Sequence, residues 1–290
     1  MPQTFDLQSH SVHSDGSLPA ADVIARAAAA GLRLVALTDH DTIDGVPEAR
    51  AAAAEHGIAL SPAAELSAVH GAYEDLHILG YELDDADEDL KALLHDFRGD
   101  RARRIGEMAD RLRELGFELD DSPLEARRVA GKPIGRPHLA DAVLAHPANT
   151  QRLADEGITG RDGLFPPYLV PGAAAYVARS RPTVTQAIEV IHAAGGVAVW
   201  AHPFWDLDRM DEALATLDAF ADDGLDGVEA FYATHDEEQT RALYDAARQR
   251  GLLTTGSADF HGPDHQRFNA FGAFELHGLE PELGPIGARG

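Results

Sequence analysis

Cysteine is absent from the 290 residues of this chain. The absence excludes disulfide bonds, thiolate metal ligands and cysteine nucleophiles, and it is compatible with a reducing compartment. The first residues also lack the basic start and the apolar run that mark a secretory signal peptide. We therefore expect a cytoplasmic protein.

Positive charge is scarce, because 24 lysines and arginines stand against 49 aspartates and glutamates, for a formal net charge of −25. Such a surface repels nucleic-acid backbones and anionic membranes, and no apolar run in the sequence is long enough to cross a bilayer. The charge therefore argues against duplex binding and against membrane binding, and nothing in the sequence indicates an obligate protein partner. A small anionic substrate is compatible with this charge if metal ions and a few arginines form a local positive site.

Short apolar runs alternate with helical patterns in both outer parts of the chain. Runs of strand length lie at 4–9, 32–38, 58–66 and 76–83, and again at 196–201, 226–231 and 252–256. Strands that alternate with helices predict parallel βα units, and the length suits one α/β barrel of about 250 residues with an insertion. The glycine- and proline-rich stretch from Gly278 predicts a loosely held tail.

The middle of the chain departs from this alternation. Residues 87–115 form one long helical pattern rich in arginine, and residues 121–181 are irregular, with many prolines and glycines. We interpret 96–180 as an inserted subdomain that caps the substrate at the barrel mouth. Residues 1–95 and 181–290 then form the metal-binding barrel.

Histidines and carboxylates cluster where the predicted strands end. In chain order they are His10, Asp15, Asp39, His40, Asp41, Glu65, His77, His202, Asp259 and His261. The carboxyl ends of parallel barrel strands meet at one mouth, where such folds place their chemistry. Imidazoles and carboxylates without thiols suit zinc, manganese or iron, so the pattern predicts a metal site at this mouth.

The same residues resemble the pattern of the PHP (polymerase and histidinol phosphatase) superfamily of metal-dependent phosphoesterases. The matching positions are His10, Asp15-Gly16, Thr38-Asp39-His40-Asp41, Glu65, His77, His202-Pro203 and Asp259-Phe260-His261. The resemblance covers nearly the whole chain. It implies a distorted (β/α)7 TIM-like barrel with a mainly helical insertion over the active-site mouth.

Three metal positions are implied by the resemblance, for two or three divalent ions of manganese, zinc or iron. The first would use His10, Glu65 and Asp259, the second Glu65, His77 and His202, and the third Asp15, His40 and His261. Glu65 would bridge a closely spaced pair, and a hydroxide between two ions would attack phosphorus.

One position departs from the family pattern, which has histidine where this chain has Gln8. A carboxamide oxygen is a weaker, uncharged ligand than an imidazole nitrogen. The first ion would therefore bind less tightly, be a harder ion such as manganese, or be absent.

Catalytic and substrate residues are also predicted, most of them in the insertion. The resemblance makes Arg136 a phosphate ligand, and it makes Glu65 and His202 catalytic. His138 would hold the leaving group or, alternatively, cap a helix. Arg101 and Arg104 are three residues apart and would share one helix face toward the phosphoryl group.

Two further residues are candidates for contacts with the sugar or the base. Tyr176 would contact the substrate, although packing is the commoner use of such a residue. His235 would lie at the rim of the barrel, although a helix-entry role is equally compatible with its position. Arg101 and Arg104 likewise have an alternative, which is a solvated face paired with acids of their own helix.

The segments 101–104, 135–138 and 167–177 are most similar to the branch of bacterial enzymes that act on nucleotides. Those enzymes remove the 3′-phosphate from nucleoside 3′,5′-bisphosphates, and some trim short 5′-phosphorylated oligonucleotides. We therefore expect a phosphoesterase for a small phosphorylated substrate of this kind. The alternatives are another phosphatase or cyclic phosphodiesterase, with histidinol phosphate as an example, or a non-catalytic PHP module for which Gln8 is a first lost ligand.

Overall fold

The computed structural model of the protein describes residues 4–129, 134–178 and 181–288. It divides into two compact units, one made of Met1–His95 with Arg181–Gly290 and the other of Asp96–Ser180. None of the described helices is both long and apolar enough to cross a membrane.

The first unit contains a seven-stranded sheet whose strands are hydrogen-bonded in chain order. The strands are β1 (Phe5–Asp6), β2 (Leu34–Leu37), β3 (Ala59–His70), β4 (Tyr73–Tyr81), β5 (Val197–Trp200), β6 (Gly227–Tyr232) and β7 (Leu253–Ser257). The Leu7 N–H donates to Gly256 O at 3.1 Å and the His10 N–H to Phe260 O at 2.8 Å. These bonds join the last strand to the first, so the sheet is a nearly closed barrel, and the predicted TIM-like α/β fold is confirmed.

Strand β4 corrects the expectation that the barrel strands are all parallel. It pairs in antiparallel fashion with both β3 and β5. Only Gly71 and Ala72 separate β3 from β4, and a parallel crossover needs a dozen residues or more. Since β4 runs in the opposite direction, His77 in its middle lies opposite Ser67 in the second half of β3.

Helices cover the barrel of the first unit and have clear local signals. They are α1 (Ala20–Ala29), α2 (Val46–His56), α8 (Val184–Ala193), α9 (Pro203–Asp206), α10 (Met210–Asp222) and α11 (Glu237–Arg250). The Asp236 side chain accepts the Gln239 N–H at the start of α11, and Gly251 ends that helix with a φ of 71°. Such a cap and terminal glycine explain why this helix begins at Glu237 and ends at Arg250.

The apolar runs of the parallel strands pack inside the barrel. Strand β5 reads Val-Ala-Val-Trp, and Trp200 is fully buried. Continuous apolar runs are typical of strands that are buried on both faces. A second apolar cluster forms where α1 and α2 pack against β2, and it includes Phe260 just beyond β7.

The second unit is helical and has a hydrophobic core of its own. Its elements are the greater part of α3 (Glu88–Glu114), α4 (Asp121–Val129), α5 (Arg136–Ala145), α6 (Thr150–Asp155) and α7 (Arg161–Leu164), with a 3-10 turn at Pro147–Asn149 and a π-helical turn at Phe165–Leu169. The core is built from residues such as Met108, Leu112, Leu139 and Leu164. The assignment of this unit as a substrate cap stays a prediction.

The C-terminal stretch is more firmly held than expected, so the prediction of a loose tail from Gly278 is wrong. The Thr254 N–H donates to Glu282 O at 2.9 Å, and the Gly287 N–H donates to a Glu82 carboxylate oxygen at 2.8 Å. Ile286 is buried. Glycine and proline therefore mark an irregular path over the barrel here.

Candidate metal centre

Glu65, in the middle of β3, is the hub of the ionisable cluster. Its Oε2 lies 3.1 Å from His10 Nε2 and 3.7 Å from His40 Nδ1. Its Oε1 lies 2.7 Å from His77 Nδ1 and 3.2 Å from His202 Nε2. Each carboxylate oxygen therefore faces a different pair of imidazoles, which is the arrangement of a bridging ligand.

Asp15 organises the other side of the same cluster. Its Oδ2 lies 3.5 Å from His40 Nε2, and its Oδ1 lies 3.5 Å from His261 Nε2 and from His10 Nδ1. Asp259 closes the group, with Oδ1 at 3.1 Å from His10 Nε2. The structure thus brings together eight of the nine predicted ligands around these carboxylates, and Gln8 contacts the group as described below.

The spacing of these donor atoms fits divalent metal ions. Two ligands bound at about 2.0–2.2 Å in a tetrahedral site are about 3.4 Å apart, and most of the separations above are near this value. Within the described chain, two groups have donor atoms that all lie within 4.8 Å of one another, namely His10, Asp15, His40 and His261, and His40, Glu65 and His77. The buried atoms His40 Nδ1 and His202 Nδ1 have no hydrogen-bond partner among the described residues.

The cluster shifts the pKa values of its carboxylates and of His40 toward the forms that bind metal. Burial alone would raise the pKa of Glu65, but the charge of His77 and hydrogen bonds from His10 and His202 hold that pKa well below its ordinary value. The pKa of Asp15 is likewise well below its ordinary value, because a hydrogen bond from His261 and the charges of His10 and His261 outweigh its burial. Burial lowers the pKa of His40 to about 4. Ionised carboxylates and a neutral imidazole are the forms that bind metal.

Two cluster residues have strained backbones. The φ angle is 29° at His202 and 56° at Asp259, in the left-handed region that costs energy for residues other than glycine. The position beside Asp15 requires a residue without a side chain. A Cβ at Gly16 would lie 2.1 Å from the His10 carbonyl oxygen. The loops after the strands are thus held in conformations that aim these side chains into the cluster.

The acidic neighbours of His40, Asp39 and Asp41, accept hydrogen bonds from other segments of the chain. Asp39 accepts hydrogen bonds from the Ser11 N–H at 2.7 Å and from the Ser14 hydroxyl at 2.6 Å. Asp41 Oδ1 accepts the Ser67 N–H at 3.0 Å. These two carboxylates tie neighbouring loops together, and His40 is the residue of the three that enters the cluster.

Gln8 contacts the centre through its nitrogen. The amide group donates to Glu65 Oε2 at 3.0 Å, and its carbonyl oxygen lies 3.2 Å from Ser257 Oγ. This orientation follows from the chemistry, because an ionised carboxylate accepts hydrogen bonds and has none to donate. Gln8 is therefore a donor to the bridging carboxylate in this structure, and its role as a ligand stays a prediction.

Ser257 and Glu229 support this contact, and sequence reasoning missed both. Ser257 Oγ lies 2.5 Å from Glu229 Oε1, and Glu229 Oε2 accepts the His202 N–H at 3.0 Å. Burial raises the pKa of Glu229 well above its ordinary value, and the Ser257 hydroxyl lies within hydrogen-bond distance of both Glu229 Oε1 and the Gln8 carbonyl oxygen. A lone acid within the buried strand β6, Gly-Val-Glu-Ala-Phe-Tyr, was the available signal.

His235 lies beside this centre in the first unit. Its Nδ1 donates to Ala230 O at 3.2 Å, and its ring is 5.3 Å from that of Tyr232. Tyr232 in turn donates to Asp259 Oδ2 at 2.8 Å. Within the described chain His235 Nε2 is buried without a hydrogen-bond partner, which leaves one ring nitrogen available.

Three of the predicted substrate residues lie in the second unit among its own helices. Arg101 is half-buried on α3. Arg104 donates to Val177 O at 2.6 Å and lies over the Tyr176 ring at 5.3 Å from its centroid. Tyr176 is itself buried. Arg104 and Tyr176 therefore have packing roles within this unit, and their contacts with substrate stay predictions.

Arg136 and His138 begin helix α5. His138 Nδ1 accepts the Gly135 N–H at 2.9 Å, which is the capping role weighed as an alternative from the sequence. Burial lowers the pKa of His138, so the ring is neutral near pH 7. The Arg136 guanidinium lies 3.5 Å from Leu169 O. Their catalytic roles stay predictions.

Comparisons with known proteins agree on one family. Residues 6–96 match the profile of the PHP domain. A 3′,5′-nucleoside bisphosphate phosphatase of Chromobacterium violaceum is 34% identical over 263 residues, which cover 89% of this chain and 87% of that protein. A 5′-3′ exoribonuclease of Haemophilus influenzae is 32% identical over 265 residues, which cover 91% and 92%.

Solved structures give the same result at the level of the fold. A protein from Bifidobacterium adolescentis that is assigned as a metal-dependent phosphoesterase superposes with a TM-score of 0.71 at 30% identity. The superposition covers 97% of this chain and 94% of that one. The similarity therefore extends over both units of the chain.

Proposed function

This chain belongs to the PHP family and is a metal-dependent phosphoric ester hydrolase, and we propose that it removes the 3′-phosphate of nucleoside 3′,5′-bisphosphates or degrades short 5′-phosphorylated oligonucleotides. The position of Glu65 is the main structural support for phosphoester chemistry. One of its carboxylate oxygens faces His10 and His40, and the other faces His77 and His202. The nucleotide substrate is supported by the two relatives named for nucleotide and RNA hydrolysis.

The eight clustered residues are proposed to hold two or three divalent ions, of manganese, zinc or iron. Histidine and carboxylate donors without sulfur suit these metals. When bound, such ions would polarise the phosphoryl group and lower the pKa of a water molecule toward neutrality. Gln8 is proposed as the weakest contributor, because its amide nitrogen already binds Glu65.

The protein's own groups have separate tasks in this proposal. Glu65 and Asp15 provide negative charge that is fixed by the surrounding imidazoles, so the centre keeps its shape without reorganisation. Arg136 of the second unit binds a phosphoryl oxygen, since a guanidinium matches the geometry of phosphate. His138 and His202 contact the leaving group and the phosphate, and Arg101, Arg104, Tyr176 and His235 complete the substrate contacts.

A substrate panel tests the proposal. The purified protein is supplied with manganese or zinc and assayed for phosphate release or strand shortening. The panel contains nucleoside 3′,5′-bisphosphates, short 5′-phosphorylated oligonucleotides, cyclic phosphates and histidinol phosphate. We expect the highest kcat/KM for a nucleoside bisphosphate or an oligonucleotide.

Other outcomes of the panel identify the alternatives. Preferred turnover of a cyclic phosphate or of histidinol phosphate would show that the substrate is another small phosphate ester and not a nucleotide. Absence of turnover with every compound, in both metals, would favour a non-catalytic PHP module. The Arg136→Ala variant distinguishes the contribution of the insertion from that of the metal centre. Loss of a phosphate contact should raise KM, while the amount of bound metal should not change.

Glu65→Gln is the sharpest single test of the bridged centre. It keeps the size of the side chain and removes the charge that four imidazoles face. We expect kcat/KM to fall by at least about 10³-fold, a loss of about 4 kcal/mol in transition-state stabilisation, together with loss of bound metal measured by mass spectrometry. Glu55→Gln, at an exposed position of α2, is the matched control, and equal activity of the two variants would refute the bridged centre.

A further inference from the structure

A group of aromatic and basic side chains lies beside the metal centre in the first unit. We call it the aromatic rim, and it consists of Phe204, Trp205, His265, Arg267 and Phe268. Trp205 follows the cluster residue His202 by three positions, and Phe268 follows His261 by seven. The chain therefore leads directly from the proposed ligands to this rim.

Ring contacts connect the rim to the cluster. The Phe268 ring lies 5.7 Å from that of His261 and 5.6 Å from that of Trp205. His265 stacks on Phe268 at 5.3 Å, with an angle of 15° between the rings. Phe268 is buried, so it supports Trp205 from within the unit. A continuous row of rings thus runs from the proposed metal ligand His261 to the surface.

Trp205 is the exposed end of this row. Its exposed fraction is 49%, and the other large apolar side chains that are exposed in the described chain, Leu93, Leu115 and Val129, are aliphatic. The Arg267 guanidinium carbon lies 5.5 Å from the centre of the Trp205 ring. An exposed indole with a cation beside it suits a ligand that is both aromatic and anionic.

We propose that the aromatic rim binds the nucleobase of the substrate by stacking on Trp205, while the phosphate to be hydrolysed lies at the metal centre. This inference rests on the proposed function and narrows it to substrates that carry a base. Stacking on an aromatic side chain tolerates every base, because each base has a π face. The rim would therefore favour nucleotides over base-free sugar phosphates without selecting among the bases.

The kinetic test compares a nucleoside 3′,5′-bisphosphate with the ribose bisphosphate that lacks the base. In Trp205→Ala we expect KM for the nucleotide to rise about tenfold, in line with the measured worth of base stacking, and KM for the base-free compound to stay constant. Trp205→Phe keeps a ring and should restore most of the affinity. Leu93→Ala removes an exposed apolar side chain from α3 and should change neither value.

A binding test is independent of turnover. The chain has two tryptophans, and Trp200 is fully buried. A change in fluorescence caused by a ligand at the surface is therefore assigned to Trp205. Adenosine should quench the fluorescence of the metal-free protein, and ribose 5-phosphate should not. Trp205→Phe should lose this quenching.

The outcomes separate the rim from the proposed function. If no compound is hydrolysed but adenosine still quenches Trp205, the proposed function fails and the rim stands as a base site. If nucleotides are hydrolysed and Trp205→Ala affects both substrates equally, or adenosine leaves the fluorescence unchanged, the rim proposal is overturned.

Discussion

Individual side chains in the metal centre are held by neighbours that are themselves buried. Glu229 and Ser257 orient Gln8, Tyr232 holds Asp259, and Asp39 fixes the loop after β1. Mutation of residues that support a ligand in this way typically lowers metal affinity by about 10–100-fold. Single substitutions at such positions therefore test the metal centre and leave the fold intact.

Gln8→His tests the weakest position of the centre. An imidazole nitrogen is a stronger ligand than a carboxamide oxygen, and position 8 directly contacts Glu65. Since changes in outer partners alone alter metal affinity by about 10–100-fold, we expect the variant to hold its least tightly bound ion at least about tenfold more strongly. Metal content is measured by mass spectrometry across a series of chelator concentrations.

Gln8→Leu is the control for this change. It has a similar size and offers neither a ligand nor a hydrogen-bond donor, so we expect no gain in metal content. If Gln8→His and the unaltered protein lose metal at the same chelator concentration, position 8 does not contribute to a metal position.

His235 gives a prediction about pH. Burial lowers its pKa from 6.5 to about 4, so the folded state binds this proton less readily than the unfolded state. Above pH 6.5 both states are neutral and nothing is lost. As the pH falls from 6.5 to 4 the unfolded state gains the proton first, and stability decreases. The full loss is about 3 kcal/mol, at about 1.4 kcal/mol per pKa unit.

His235→Gln removes this titration. We measure the free energy of unfolding in urea at pH 7, 6, 5 and 4 for both proteins. The difference between them should shift in favour of the variant as the pH falls, by up to the amount above. A constant difference across this range would show that His235 is not titrating as a buried neutral ring.

At the scale of elements, the loop between β1 and α1 depends on Gly16. A Cβ at this position would lie 2.1 Å from the His10 carbonyl oxygen, so Gly16→Ala must displace the loop that carries His10 and Asp15. Misplacement of a catalytic group by about 1 Å costs about 10²-fold in rate. We therefore expect kcat/KM and metal affinity each to fall by about this factor.

Gly99→Ala is the matched change within a helix. Gly99 lies in the interior of α3, and a Cβ there would meet nothing within 4 Å. Alanine should raise the free energy of unfolding by about 0.5–1 kcal/mol and leave activity unchanged. Full activity in Gly16→Ala would contradict the claim that this loop positions the centre.

The sequence predicts the elements better than their directions. Helix α11 ends at a left-handed glycine and begins with a side-chain cap, and its bounds follow from those local signals. The direction of β4 depends on the two-residue turn after His70, which periodicity does not reveal. The eight clustered residues are predictable because each follows or lies in a strand of one barrel. Glu229 and Ser257 are not, because only the folded barrel brings β6 and β7 beside Gln8.

At the scale of the whole molecule, the proposed ligands come from distant parts of the chain. His10 and His261 are at opposite ends of the sequence, and their rings stack with centroids 4.3 Å apart. Glu65 lies in β3, and His202 lies just beyond the end of β5. A metal ion that binds this cluster therefore links segments that are separate in the unfolded chain. Binding to the folded state alone stabilises it by about 4 kcal/mol when the free ligand is at about 1,000 times its Kd.

Metal removal should consequently lower the stability of the barrel. We expect dialysis against a chelator to lower the unfolding temperature by several degrees, and addition of manganese or zinc to restore it. Hydrogen exchange should slow on metal addition in peptides that contain 8–16, 38–41, 63–78, 200–203 and 257–262. Peptides within 96–180 carry none of the eight clustered residues and should change least. Glu65→Gln should abolish the metal effect on both measurements, whereas a shift of equal size in that variant would place metal binding elsewhere in the chain.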